Sequence, residues 1–232
     1  MGAKKMGALT LGPVFWLCAA LGTAAAIAYG AYFLRRPPSW PRALVKTAFL
    51  GFIGAGLINA GAPFPLVVAI IASALGDFFL AFNKKWTLPF GILAFLIAQL
   101  AYVLIFFIWF FSGDNSPLLP RYVGMALVIA TSIGFLVWMA PKLGWMALAV
   151  IPYAIAITAM GVTAMWLPWP GWLATVGAVS FLVSDFVLAA ELFRLPPDSA
   201  ARRWTAPIVW WTYVAAQVLI IAGILQLAAK GN

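Results

Sequence analysis

From Ala8 to Ala228 the chain is a succession of apolar runs about 20 residues long, the length a helix needs to cross a hydrocarbon core. Only 8% of the 232 residues are charged and 66% are hydrophobic, against roughly 25% charged in a soluble domain. The solvent for such a surface is lipid. Lipid offers the backbone no hydrogen bonds, which leaves helices or closed barrels as the spanning structures. The runs are continuous rather than alternating, and that selects helices. The expectation is an all-α, polytopic transmembrane bundle of about eight helices, one transmembrane domain over residues 1–232.

The spacing predicts segments near 8–34, 43–58, 66–82, 88–111, 122–139, 144–165, 172–192 and 207–228. Turn and charge signals separate them: Arg35-Arg36-Pro37-Pro38, Gly61 to Pro65, Asn83-Lys84-Lys85, Ser112 to Pro120, Pro141-Lys142, Pro168-Trp169-Pro170 and Arg194 to Arg203. The first run is too long for a signal peptide and stops at Arg35-Arg36, so it reads as a helix. Ten basic residues fall near the odd-numbered loops (Arg35, Arg36, Arg42, Lys46, Lys84, Lys85, Lys142, Arg194, Arg202 and Arg203). Four fall in the even loops and termini: Lys4, Lys5, Arg121 and Lys230. The positive-inside rule then places the odd loops in the cytoplasm and both termini outside, as in a bacterial inner-membrane protein. The net charge of +9 is thus mostly topological, and with no basic soluble domain to carry it, nucleic-acid binding is a poor reading. Trp109, Trp166, Trp169 and Trp172 read as an aromatic belt at the outer interface.

The two halves of the chain echo one another. Pro63-Phe64-Pro65 opens a run that reaches Asp77-Phe78-Phe79-Leu80-Ala81, and Pro168-Trp169-Pro170 opens one that reaches Asp185-Phe186-Val187-Leu188-Ala189. In each half the next run carries an aromatic four residues before a glutamine, Phe95/Gln99 and Tyr213/Gln217. Lys46 and Lys142 stand near the start of the run before each PxP turn. Two parallel four-helix repeats would explain the pattern, and so would coincidence over matches this short.

There is no histidine, which excludes a Ser-His triad and a His-ligated zinc, and no cofactor or metal is expected. The lone Cys18 excludes an internal disulfide. Ionisable groups inside a bilayer are costly and persist where they work or pair. Asp114 and Asp198 fall in loops and read as solvated, whereas Asp77 and Asp185 each lie about two turns inside the basic end of a run. Lys46 reaches the same layer, and Ser73 shares the face of Asp77. Gln99, Tyr102, Tyr153, Tyr213 and Gln217 lie deeper, so polar groups from six helices converge on a cavity at the cytoplasmic side. Lys46 paired to one aspartate could be a structural ion pair. One lysine does not neutralise two carboxylates, however. A protonated acid beside an ionised one is the arrangement general acid–base catalysis uses. Asp77, after Gly76, reads as the protonated acid; Asp185, after Ser184 and its hydroxyl, reads as the anion.

At these positions the sequence resembles the YhhN family of lysoplasmalogenases. The resemblance rests on Lys46, Leu75-Gly76-Asp77, Gly91…Phe95…Gln99…Tyr102, Ser184-Asp185-Phe186-Val187 and Tyr213…Gln217, in order from about Arg42 to Ile220. Thr47 stands where the family often has proline, and Gln99 and Gln217 where it often has histidine, which leaves proton transfer to the aspartates. The resemblance implies hydrolysis of the vinyl-ether bond of a lysoplasmalogen, a lysophospholipid drawn from membrane lipid, with Asp77 and Asp185 catalytic. Lys46, Ser73, Gln99, Tyr102, Tyr153, Ser184, Tyr213 and Gln217 would line the substrate site. A small-molecule or proton-coupled transporter is the alternative, since buried acids and repeats mark those too.

Overall fold

The computed structural model describes residues 10–82, 84–110, 117–196 and 198–230. They form eight α-helices: α1 Pro13–Ala28, α2 Trp40–Asn59, α3 Phe64–Ala81, α4 Leu88–Phe110, α5 Leu118–Leu143, α6 Ala147–Ala164, α7 Trp172–Phe193 and α8 Arg202–Lys230. Among the described residues there is no strand. Lys4, Lys5 and Asp114 lie outside the described residues, and Asp198 is exposed as expected.

Seven stretches are long and apolar enough to cross a membrane. One of them, Leu118–Ala164, is 47 residues, about twice what a bilayer requires. It folds back on itself at Gly144, whose φ of 51° a glycine adopts without strain, so α5 and α6 make separate crossings. Arg121 at the start of α5 reaches the carbonyls of Trp166 and Leu167 just past the end of α6, as an antiparallel hairpin requires. The break expected at Pro141-Lys142 therefore falls three residues later. Pro141 sits in the last turn of α5, where the hydrogen bond it removes, to the Val137 carbonyl, is among the last in the helix.

The bundle is inside out by the standards of a soluble protein. Leu148, Phe64 and Val137 face outward, while Arg42, Ser73, Asp77, Gln99, Ser184 and Gln217 are buried. Only a lipid solvent stabilises that distribution. α3 packs closely on α4 and α7 on α8, matching pairs in the two halves. Glycines make both contacts intimate. A Cβ on Gly76 would lie 2.5 Å from the Phe95 ring, and one on Gly223 would lie 2.4 Å from the backbone nitrogen of Ala174. α5 stands apart, with far less of its surface buried than the helices that hold the polar core.

Candidate active site

Lys46 lies under two turns into α2, which Ser39 caps by accepting from the Arg42 backbone N–H at 3.4 Å. Its Nζ is 3.1 Å from Asp77 Oδ1 on α3, and the carboxylate is almost wholly buried at 1% exposure. Tyr213 of α8 donates to the other oxygen, Oδ2, at 2.8 Å. Asp77 therefore holds a cation on one oxygen and a hydroxyl donor on the other. The bare Cα of Gly76 lets the Phe95 ring lie against α3, and that ring in turn meets the Tyr213 ring edge-on at 5.9 Å. The glycine dries this site by admitting a neighbouring side chain.

Asp185 of α7 is held differently. The Tyr153 hydroxyl of α6 donates to its Oδ2, and Gln99 Nε2 of α4 donates to that hydroxyl at 3.4 Å. Among the described residues no lysine or arginine pairs with Asp185. Phe95, against the Tyr213 ring, and Gln99, donating to the Tyr153 hydroxyl, stand one turn apart on α4, so that helix runs past both aspartates' partners. Behind them Tyr102 donates to Gln217 Oε1, which ties α4 to α8. Ser73, fully buried on α3, stands beside the Tyr102 hydroxyl. Gln99 Oε1 is buried with no hydrogen-bond partner among the described residues.

Above Lys46 a cavity of about 590 Å³ opens between the loops that join α1 to α2, α3 to α4 and α7 to α8. Arg35, Arg36, Arg42, Lys46, Lys84, Lys85 and Arg202 line it, against the single acid Glu191. Glu191 is already engaged, 3.6 Å from Arg202 and accepting from Thr205. Tyr29 enters the wall because the end of α1 widens into a π-helical turn, Tyr29–Phe33. Its ring packs on Trp210 at 4.4 Å, and Lys46 Nζ lies 5.9 Å from the centroids of both rings. The ammonium is thus steadied by two π faces as well as by the carboxylate. A second, smaller cavity of about 50 Å³ lies between α5, α6 and α7, with Asp185 and Tyr153 in its wall.

A YhhN family model matches residues 58–224, well over half of the chain. The chain belongs to the YhhN family. Lysoplasmalogenases of Mycobacterium bovis and Mycobacterium tuberculosis are each 33% identical to it over 216 residues, covering 86% of this chain and 80% of the relative. Lysoplasmalogenase TMEM86A of Bos taurus is 30% identical over 202 residues, 79% of this chain and 78% of the relative. No solved structure matches.

The site residues named from the sequence come from α2, α3, α4, α6, α7 and α8, and their side chains form one polar core inside the bundle. Ser184 is the exception. Its hydroxyl donates to the Val209 carbonyl of α8 at 3.0 Å, so it clamps two helices and leaves the Asp185 carboxylate to Tyr153. Lys142 also departs from the repeat, being exposed in the last turn of α5. The residue of the second half that meets its aspartate, as Lys46 meets Asp77, is Tyr153, 32 positions before Asp185 where Lys46 is 31 before Asp77. Arg42, Arg202 and Glu191 were not singled out as site residues. The signal for Arg42 was its spacing: four residues before Lys46, it projects from the same helical face.

Proposed function

We propose that this membrane hydrolase of the YhhN family cleaves the vinyl-ether bond of a lysoplasmalogen, as the names of its relatives imply, giving a fatty aldehyde and glycerophosphoethanolamine or glycerophosphocholine. The observation that carries the mechanism is the unequal pair of carboxyl groups, Asp77 on a cation and Asp185 on a neutral hydroxyl. A vinyl ether is cleaved by placing a proton on its β-carbon, which leaves an oxocarbenium ion on the carbon bonded to oxygen. Water adds there, and the hemiacetal collapses to an aldehyde and the free glycerol hydroxyl. The first step needs a carboxylic acid that keeps its proton, and the second a fixed anion beside the cation.

The ion pair favours the opposite division of roles from the expectation based on Gly76 and Ser184, and the proposal adopts it. A lysine at 3.1 Å opposes the cost of burying a charged carboxylate and supports Asp77 as the anion that steadies the cation. Asp185, without a cation and in a largely apolar wall, is the acid. Tyr153 fixes Asp185 Oδ2, leaving Oδ1 to present the proton. Gln99 Oε1 offers an unused acceptor to the attacking water. Two carboxyl groups flanking an oxocarbenium-like transition state also serve glycoside hydrolysis, where the cation is analogous.

The basic cavity and its flanking loops face the cytoplasm in this reading, supported by the ten-to-four distribution of lysine and arginine. The test is direct: purified protein in micelles is given a 1-alkenyl lysophospholipid and aldehyde is followed with a coupled dehydrogenase. Release no faster than in protein-free micelles would sink the proposal.

A further inference from the structure

The large cavity holds more charge than the chemistry at the aspartates requires. Seven basic side chains line it, and its one acid is already matched to Arg202 and Thr205. Most of those cations belong to exposed loops and serve topology. Arg42 does not. It is 8% exposed, its Nη1 donates to the Ala81 carbonyl at 2.9 Å, and its guanidinium carbon stands 5.8 Å from the centre of the Tyr29 ring. Its Nε is buried and has no hydrogen-bond partner among the described residues. A buried, always-charged guanidinium with an unmade hydrogen bond, in the wall of a basic cavity, is costly unless an anion joins it there. The Ala81 carbonyl and the Tyr29 ring hold the guanidinium in the cavity wall before any ligand arrives.

We propose that Arg42 and Lys46, one helical turn apart on α2, form an anion seat for the phosphodiester of the lysophospholipid substrate. The proposal rests on the reaction assigned above and names the part of the substrate that decides recognition. Arg42 meets a phosphate oxygen with the part of its guanidinium that lines the cavity, and Lys46, in the same wall, faces the phosphate on one side and Asp77 on the other. The seat sets the register of the lipid: with the phosphate anchored over Lys46, the glycerol and its vinyl ether hang toward the aspartates. The cavity, about 590 Å³, is in the size range of small-molecule pockets and admits a glycerophospho headgroup.

The test uses purified full-length protein and two readouts. Binding is measured with a 1-alkyl lysophosphatidylcholine, which has the phosphate and no vinyl ether to cleave; activity is measured on 1-alkenyl-glycerophosphocholine and on neutral 1-alkenyl-glycerol. Wild-type protein should bind the alkyl lysolipid saturably, and 1-alkyl-glycerol of the same chain length should fail to compete. Arg42→Met, which keeps the apolar stem, should weaken that binding and raise KM for the phosphorylated substrate about 10- to 100-fold, the loss of one or two charged hydrogen bonds. Cleavage of 1-alkenyl-glycerol should be unchanged. Arg42→Lys keeps the charge but not the fork and should fall between, which also guards against a Met variant that fails to fold.

Equal losses on both substrates would make Arg42 a helix tie only and overturn the seat. Equal competition by a diacyl phosphatidylcholine would overturn it as well, showing a resting place for bulk headgroups. Saturable binding by wild type that Arg42→Met abolishes, without aldehyde release from either substrate, would uphold the seat and refute the reaction instead.

Discussion

Consider the replacement of Lys46 by methionine, a side chain of similar length without the charge. In the folded protein Nζ is 3.1 Å from Asp77 Oδ1, and both groups are mostly out of contact with solvent. At an effective dielectric constant of about 20 the pair attraction at that separation is ~5 kcal/mol. Removing one partner of a buried pair typically costs about 3–5 kcal/mol, because the survivor is left charged and unsolvated. Asp77 escapes that cost by taking up a proton, and a neutral Asp77 cannot steady a cation. Turnover on the lysoplasmalogen should therefore fall about 10²- to 10³-fold, the usual loss when one fixed electrostatic group is removed from a transition state. Asp77→Asn should cost a similar factor for the same reason. The decisive measurement is the double variant. If the two residues act as one unit, Lys46→Met with Asp77→Asn is no slower than the worse single variant, and the coupling energy is large. The assay is initial-rate aldehyde release, with circular dichroism confirming that each variant folds. Losses that multiply, or a Lys46→Met protein with near-normal turnover, would refute the idea that the lysine keeps Asp77 ionised for catalysis.

Asp185→Asn should reduce kcat at least ~10²-fold with KM little changed, because the missing proton belongs to the transition state. Tyr153→Phe removes the hydroxyl that orients Asp185 and should cut kcat about tenfold or more, read in the same assay, while leaving binding of an alkyl lysolipid intact. Gly223→Leu should abolish recovery of monodisperse protein by size-exclusion chromatography, since its Cβ would lie 2.4 Å from the Ala174 nitrogen and force α7 and α8 apart. In a Cys18→Ala background, cysteines at Lys85 and at Trp169 should react with impermeant thiol reagents from opposite faces of the membrane, Lys85 from the cytoplasm.

Hydropathy, proline and glycine made the helices legible, because in lipid each apolar run must close its own hydrogen bonds and each break must find water. Depth was legible for the same reason: Asp77 and Asp185 could be placed two turns from a basic end by counting. Direction around the helix axis was not. Lys46 could reach either aspartate by depth, and only the packing of α2 on α3 gives it to Asp77. Ser184 adjoins Asp185 in sequence, yet successive helical residues point about 100° apart, and its hydroxyl went to Val209. Arg42 read as a loop charge because α2 was expected to begin at Ala43. The Ser39 cap starts the helix at Trp40 and carries the arginine into the wall of the cavity.

α5 contributes none of the hydrogen bonds or ion pairs that hold the two aspartates. Its 26 residues make a rod of about 39 Å, longer than a hydrocarbon core of about 30 Å, and a helix of that length accommodates by tilting. Its partners α6 and α7 carry Tyr153 and Asp185, while α7 is locked to α8 by close backbone contact at Gly177 and Gly223. A change in bilayer thickness would bear on α5 without pulling directly on the contacts that hold Asp77 and Asp185. The small cavity beside Asp185 has α5 as one wall, so a change in that tilt would alter its width, and the thickness of the surrounding lipid would be felt there first.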